Sequence, residues 1–153
     1  MRSNKLSEEV FQLLNGQQLE KKQHEAMMLL TVNEDGWPHT AMISVGEIVA
    51  TGLDEVRIAL WLGTATTSNL LRSGQATLVF FYEGKAVYIQ LQAKVLEELP
   101  NALHPRERFR AKVISFREDV AKYADITSGI AIQLKDADTV IERWKQTVQE
   151  LLL

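Results

Sequence analysis

The chain has 153 residues, 46% hydrophobic and 24% charged, which is the profile of one soluble domain able to bury a sizeable core. Its formal net charge of −3 gives no electrostatic reason to expect nucleic acid or an anionic membrane as partner. The absence of cysteine excludes disulfides, thiolate metal centres and thiol nucleophiles, and fits a reducing, cytoplasmic setting. The opening MRSNKLSEEV is polar and charged, unlike a secretory leader, and no apolar run approaches the roughly 18 residues of a membrane span. We therefore expect a single domain over residues 1–153, without a membrane segment.

Ser7-Glu8-Glu9 opens the first helix. The hydroxyl caps free N–H groups and the acids suit the positive end of the helix dipole. Val10, Phe11, Leu13 and Leu14 form its apolar stripe, and Asn15-Gly16 ends it. Residues 17–25 are polar, a short helix or a connector. Residues 27–32 are apolar on both faces, as in a strand of a closed sheet. Asn33-Glu34-Asp35-Gly36 is a tight hairpin turn, and a second strand runs from Trp37 to about Val49 with Pro38 near its start. After Thr51-Gly52-Leu53-Asp54, residues 56–62 alternate. Val56, Ile58, Leu60 and Leu62 share one face, and Arg57, Ala59 and Trp61 the other.

Residues 66–72 predict a short helix closed by Ser73-Gly74. Residues 76–82 and 85–98 predict strands about a Glu83-Gly84 turn, the second long enough to bend around a barrel. Beyond Pro105, the residues Phe109, Val113, Phe116, Val120 and Tyr123 recur at spacings of four and three, which predicts an amphipathic helix. Residues 126–134 return to strand. Asp136 or Asp138 caps a last helix with Val140, Ile141, Trp144, Val148 and Leu151 on its apolar side. Six strands in hairpin succession, with helices before, within and after, argue for an α+β chain built on an antiparallel barrel.

Three places bear on chemistry. In Thr64-Ala65-Thr66-Thr67-Ser68-Asn69 a strand runs into a helix start, so backbone N–H groups and hydroxyls gather where they serve either as ordinary caps or as a phosphate cradle. His39 follows the Asp-Gly turn, but it stands alone, as do His24 and His104, and no metal-ligand spacing or nucleophile constellation occurs. Trp37, Trp61, Tyr82 and Tyr88 offer ring faces either to the core or to a planar ligand. The basic run Arg106, Arg108, Arg110 and Lys112 reads as a solvated helix face or an anion-binding patch.

The markers Asp35-Gly36-Trp37-Pro38-His39, Ile58-Ala59-Leu60-Trp61, the hydroxyl turn from Thr64 to Thr67, and Asn69-Leu70 stand in a set order. In that order the chain resembles the flavin-binding split β-barrels related to pyridoxamine phosphate oxidase. The resemblance covers roughly residues 26–98. It implies an antiparallel split β-barrel of six strands, of Greek-key type, with flanking helices. It implies a homodimer with flavin mononucleotide (FMN) between subunits, and oxidoreductase chemistry on an unspecified small molecule. Carried over by position, His39, Thr40, Ala41 and Met42, with Trp61 and Leu62, would lie beside the flavin ring. Thr64, Thr66, Thr67 and Asn69 would lie beside the phosphate.

Members of the family often carry Lys or Arg in the turn before Asn-Leu, where this chain has Thr66 and Ser68. The resemblance then implies a cation from elsewhere: Arg72, Arg57, the segment 106–112 or a partner subunit. Two other readings stay open. One is a non-catalytic ligand-binding or stress-related barrel that has lost flavin. The other is a structural dimer module joined through its last helix and the Leu151-Leu152-Leu153 tail.

Overall fold

Hydrophobic alternation of period two builds most of this molecule. The computed structural model describes residues 2–153. Its strands are β1 (Arg2–Ser3), β2 (Ala26–Val32), β3 (Pro38–Ser44), β4 (Ile48–Ala50), β5 (Glu55–Leu60), β6 (Gln75–Tyr82), β7 (Lys85–Val95) and β8 (Glu107–Asp119). Its helices are α1 (Glu8–Leu14), α2 (Ala65–Ser73) and α3 (Ala137–Leu151), with a 3-10 turn at Leu19–Lys21. The order across the sheet is β3-β2-β6-β7-β8-β5-β4, with β1 added on β8, and the pairings are antiparallel.

That order forces the sheet to roll up. β3 and β4 lie at its two ends, yet only Val45-Gly46-Glu47 joins them. Six gaps in a flat sheet would part them by about 29 Å, whereas so short a link spans roughly 14 Å at most. The result is the expected α+β antiparallel split barrel, closed at this corner and open along the seam between its two edge strands.

The strand count differs from expectation. Seven strands lie along the sheet, plus the two-residue β1, where six were predicted. The predicted strand over 37–49 breaks at Val45-Gly46-Glu47, where the Glu47 N–H donates to the Ser44 carbonyl at 3.2 Å. Its halves then pair with different partners, β3 with β2 and β4 with β5.

The predicted helix after Pro105 is instead β8, the longest strand. Phe109, Ala111 and Val113 point inward at every second residue. The register with β7 then slips between Gln90 and Leu91, so that Leu91 faces Val113 and Ile89 faces Phe116. Ile114 lies in this β-bulge, and the next inward side chain comes three residues after Val113 rather than two. A bulged strand thus reproduces the four-and-three spacing of a helix. Val120 and Tyr123, the last members of the supposed stripe, are exposed outside the strand. Arg106, Arg108, Arg110 and Lys112 consequently sit on and beside a strand, not along a helix face.

Residues 126–134 form no strand. They touch the sheet through one bridge, Glu25 to Ala131, and through the Ile132 N–H on the His24 carbonyl. β6 pairs with β2 only over Met28–Leu30, and the segment meets the chain just before β2 without extending into a ladder.

One continuous core fills the barrel and the layer under α1 and α3. Phe109, Ile58, Ile89, Leu29 and Leu78 are completely enclosed inside, and Val10, Leu13, Trp144 and Val148 are buried where the helices cover β4 and β5. Burying each such aliphatic side chain contributes roughly 1.5–3 kcal/mol relative to exposure. The N-cap of α3 is Asp136 in a left-handed conformation, without a side-chain capping bond. At the other end the helix carries no basic residue in its last turn, and the sheet supplies the cations: Arg57 Nη1 donates to the Leu151 carbonyl at 2.9 Å and Arg108 Nη1 to the Glu150 carbonyl at 3.0 Å. No helix among the described residues is long and apolar enough to cross a membrane.

Candidate functional site

β5 ends at Leu60, and the chain turns at Gly63 (φ +76°) into α2. Thr64 is the N-cap. Its Oγ1 accepts from the Thr67 N–H at 3.2 Å and lies 3.0 Å from Thr67 Oγ1. Both hydroxyls also reach the Trp61 carbonyl, Thr67 at 2.7 Å and Thr64 at 3.3 Å. The turn is therefore locked to the last residues of β5. The N–H groups of Ala65 and Thr66, in the first turn, have no acceptor within the helix. Gly63, Ala65 and Ser68 are exposed and small, so a ligand can approach the helix start closely. Thr66 and Thr67 are buried.

Asn69 is buried and fully engaged. Its Nδ2 donates to Thr31 Oγ1 at 3.0 Å and to Asn33 Oδ1 at 2.9 Å, and its Oδ1 accepts from Arg72 Nη2 at 3.2 Å. Arg72 also donates to the Val32 carbonyl. These bonds fasten α2 to β2 and to the β2–β3 turn.

On β3 the four predicted ring-side residues alternate between faces. His39 lies opposite Thr31 and Ala41 opposite Leu29, on the inner side, where Thr31 and Leu29 are buried. Thr40 lies opposite Leu30 and Met42 opposite Met28, on the outer side. Met42 is 58% exposed. The outer side continues across the sheet in two rows. One runs Met42, Met28, Val79 and Tyr88, the other Thr40, Leu30, Thr77 and Gln90. This half-exposed face, apolar along its first row and mostly polar along its second, went unread in the sequence, because it appears only when the register of four strands is known.

Trp61 and Leu62 stand out from the end of β5, 55% and 57% exposed. The Arg106 guanidinium lies over the Trp61 ring, 3.5 Å from its centroid. The pairing of Leu60 with Glu107 brings these residues together across 45 positions of sequence. Leu62, Arg106 and Arg108 line a cavity of about 290 Å³ between the end of β5, the β7–β8 connection and α3. Burial lowers the Arg106 pKa below its ordinary value; nearby Glu47 opposes that shift, Arg143 reinforces it, and Glu150 opposes it again. Glu47 is itself held up above the ordinary 4.5, chiefly by burial, against its hydrogen bonds from Ser44 and the pull of Arg106 and Arg143. Among the described residues no cluster of three or more acidic or histidine side chains could hold a metal ion.

The fold thus brings Trp61, Thr64 and Thr67 into one bonded unit, links Asn69 to the strand pair that carries His39, and sets Thr40 and Met42 on a separate surface. Arg106, expected from sequence within a basic helix face or anion-binding patch, is found instead at the start of β8 and stacked on Trp61.

A Bacillus subtilis protein, YclD, itself uncharacterised, is 48% identical over 151 residues, spanning 99% of this chain and 98% of its own length. Among solved structures, a candidate pyridoxamine 5'-phosphate oxidase from Lactobacillus delbrueckii superposes with a TM-score of 0.59 at 17% identity, covering 75% of this chain and 95% of that one. An FMN-binding protein from Syntrophomonas wolfei gives 0.52 at 16% identity, covering 72% and 88%. At these identities the structural likenesses speak for the fold. The model of the family described as pyridoxamine 5'-phosphate oxidase matches residues 8–135, from the start of α1 to the edge of α3. With most of its length matched and its sheet rolled as a split barrel, this chain belongs to the pyridoxamine 5'-phosphate oxidase family.

Proposed function

We propose that the protein is a cytoplasmic, homodimeric flavoprotein that binds FMN and serves as an oxidoreductase on a small molecule. The observation that carries this reading is the β5–α2 turn. The N–H groups of Ala65 and Thr66 have no acceptor within the helix, Gly63, Ala65 and Ser68 beside them are small and exposed, and the turn is bonded to the carbonyl of the exposed Trp61. These residues fit a ligand with a planar ring and a phosphate. When bound, the flavin supplies the hydride chemistry. The chain's part is to fix the phosphate at Ala65 and Thr66, to offer Trp61 and Leu62 to the ring, and to close the remaining side with a second copy. The outer apolar face around Met28, Met42 and Val79 supports dimerisation, because a patch of that kind is normally covered.

The test is a titration with FMN followed by flavin absorbance and fluorescence quenching. Binding near one FMN per chain is expected, and no spectral change would overturn the reading. Ala65→Glu refines it. The position is exposed and in the first turn, where a carboxylate suits the helix dipole. The variant should stay folded while like-charge repulsion weakens FMN binding tenfold or more, roughly the effect of one lost charge-assisted contact.

A second reading has its own support. The Thr64 and Thr67 hydroxyls and the Asn69 amide are engaged within the chain, and Glu34 and Asp35 rim the cleft beside Ala65 and Ser68. These features favour a barrel that holds a ligand other than flavin and does no redox chemistry. An unchanged flavin spectrum together with a stable dimer would select it.

A further inference from the structure

We infer that the cavity between the end of β5, the β7–β8 connection and α3 binds a small aliphatic α-amino acid, with its carboxylate on Arg106 and its ammonium on an acidic rim. This site is separate from the β5–α2 turn, since none of residues 63–68 lines it. The inference stands whether or not the chain binds flavin.

Charges of both signs line this one cavity without pairing. Arg106 and Arg108 contribute guanidiniums, and Glu97, Glu98 and Glu107 contribute carboxylates. Among the described residues, neither guanidinium lies within 4.0 Å of a carboxylate, and none of these three carboxylates lies within 4.0 Å of a Lys, Arg or His nitrogen. Nearby on the same strands the ordinary outcome is found: Arg57 and Arg110 lie 4.0 and 3.8 Å from Glu55. Opposite charges held apart around a cavity leave both free for a ligand that carries one of each.

The two guanidiniums differ in what they have left to offer. Arg108 is only 8% exposed, and its two terminal nitrogens donate to the Glu150 and Glu97 carbonyls at 3.0 and 2.7 Å, so it holds the walls together. Arg106 is half-buried. Its Nη1 donates to the adjacent Pro105 carbonyl at 3.2 Å, and its Nη2 carries no bond to the described residues. Stacking on Trp61 restricts this guanidinium before any ligand arrives, which lowers the entropy lost on binding. The acids divide in the same way. Glu150 accepts from the N–H groups of Leu103 and His104 at 2.9 and 3.4 Å, whereas Glu97 and Glu98 are exposed and Glu107 is half-buried.

Size and lining narrow the ligand. The cavity encloses about 290 Å³, at the lower end of small-molecule sites. Ala59, Thr147 and Leu151 are its buried lining, and Leu62, Leu96 and Leu99 add apolar wall. The connection is fastened to α3 by Glu150 and by His104, whose Nε2 lies 2.7 Å from Gln146 Oε1, so the cavity is preformed. A purely anionic ligand would meet repulsion from the rim acids, and a purely cationic one would leave Arg106 unpaired. An aliphatic zwitterion satisfies the cation, the acids and the apolar wall together.

The experiment is calorimetric titration with L-leucine, with 4-methylpentanoate, which lacks the ammonium, and with 3-methylbutylamine, which lacks the carboxylate. The wild type should bind one L-leucine per chain. The amine should bind tenfold or more weaker, and the acid about threefold to fivefold weaker, as suits an exposed ion pair. Arg106→Gln should weaken L-leucine about tenfold or more and leave 3-methylbutylamine unchanged. The double variant Glu97→Gln with Glu98→Gln, at exposed positions, should weaken L-leucine and leave 4-methylpentanoate unchanged. Absence of L-leucine binding by the wild type would overturn the inference. So would equal affinity for L-leucine and either half-ligand, or an equal loss of all three ligands in Arg106→Gln. Were that variant to unfold, the wild-type ranking of the three ligands decides alone. All titrations are made without FMN, so their failure leaves the flavin reading standing, and failure of FMN binding leaves this one.

Discussion

Gly46 leaves no room for a methyl group. A Cβ built there would sit 1.9 Å from Trp144 Cγ, inside the indole, and the glycine's φ is not in the left-handed region, so the requirement is one of space alone. Gly46→Ala should therefore lower stability by about 1–3 kcal/mol or more as Trp144 is pushed off the β3–β4 corner, seen as a lowered midpoint in urea with quenched or shifted tryptophan emission. Glu47, the next residue, couples that corner to pH. Burial raises its carboxyl above 4.5, so the native chain binds a proton at a pH where the unfolded chain has released it. By linkage, stability contributed at this site falls as pH rises from about 4.5 through the native value. Glu47→Gln keeps an acceptor for Ser44 without the charge. It should flatten the change in urea midpoint between pH 4 and pH 7, and an unaltered slope would show that the cost of burying the charge is negligible.

Elements were legible where one periodicity dominated. The cap at Ser7, the alternation in β5 and β7, and the apolar stripe of α3 were all readable, and α2 was found to within a residue. β8 was not. Its bulge at Ile114 re-phases the inward side chains, and nothing in the local spacing separates that from a helix. The break in the strand over 37–49 was hidden too, because its two halves take different partners, β2 and β5, and the Gly46 between them packs against Trp144, nearly a hundred residues away. In the candidate site, the turn at Thr64 was readable from its hydroxyls. The Arg106–Trp61 contact was not, since it depends on the pairing of β5 with the misread β8. At this scale the clearest expectation concerns Arg108, which ties the end of α3 to the β7–β8 connection. Arg108→Ala should cost roughly 1.5–3 kcal/mol by removing charged-donor hydrogen bonds, and proteolysis should then cut the connection before the barrel. Equal cleavage in wild type and variant would assign the restraint on that connection to Glu150 instead.

For the whole molecule, the outer rows through Met42, Met28, Val79 and Tyr88 make an expectation about assembly. Val79→Glu places a charge in the middle of an apolar face without entering the core. Sedimentation should report a dimer for the wild type and a monomer for the variant, with far-ultraviolet dichroism unchanged; a dimer in both would move the interface elsewhere. The rolled sheet also has a history in time. β4 and β5 adjoin the strands β2, β3, β6 and β7 only by way of β8 and the short corner at Gly46. Until β8 arrives, the hairpin of β4 and β5 has no neighbour to complete the ring, although its own sequence was laid down some fifty residues earlier. Such distant pairing slows folding, because loops must close before the contacts that stabilise them exist. On a ribosome the barrel stays an open, sticky sheet until the last third of the chain has emerged, and the strand that bears Arg108 and Phe109 is what turns that sheet into a closed body.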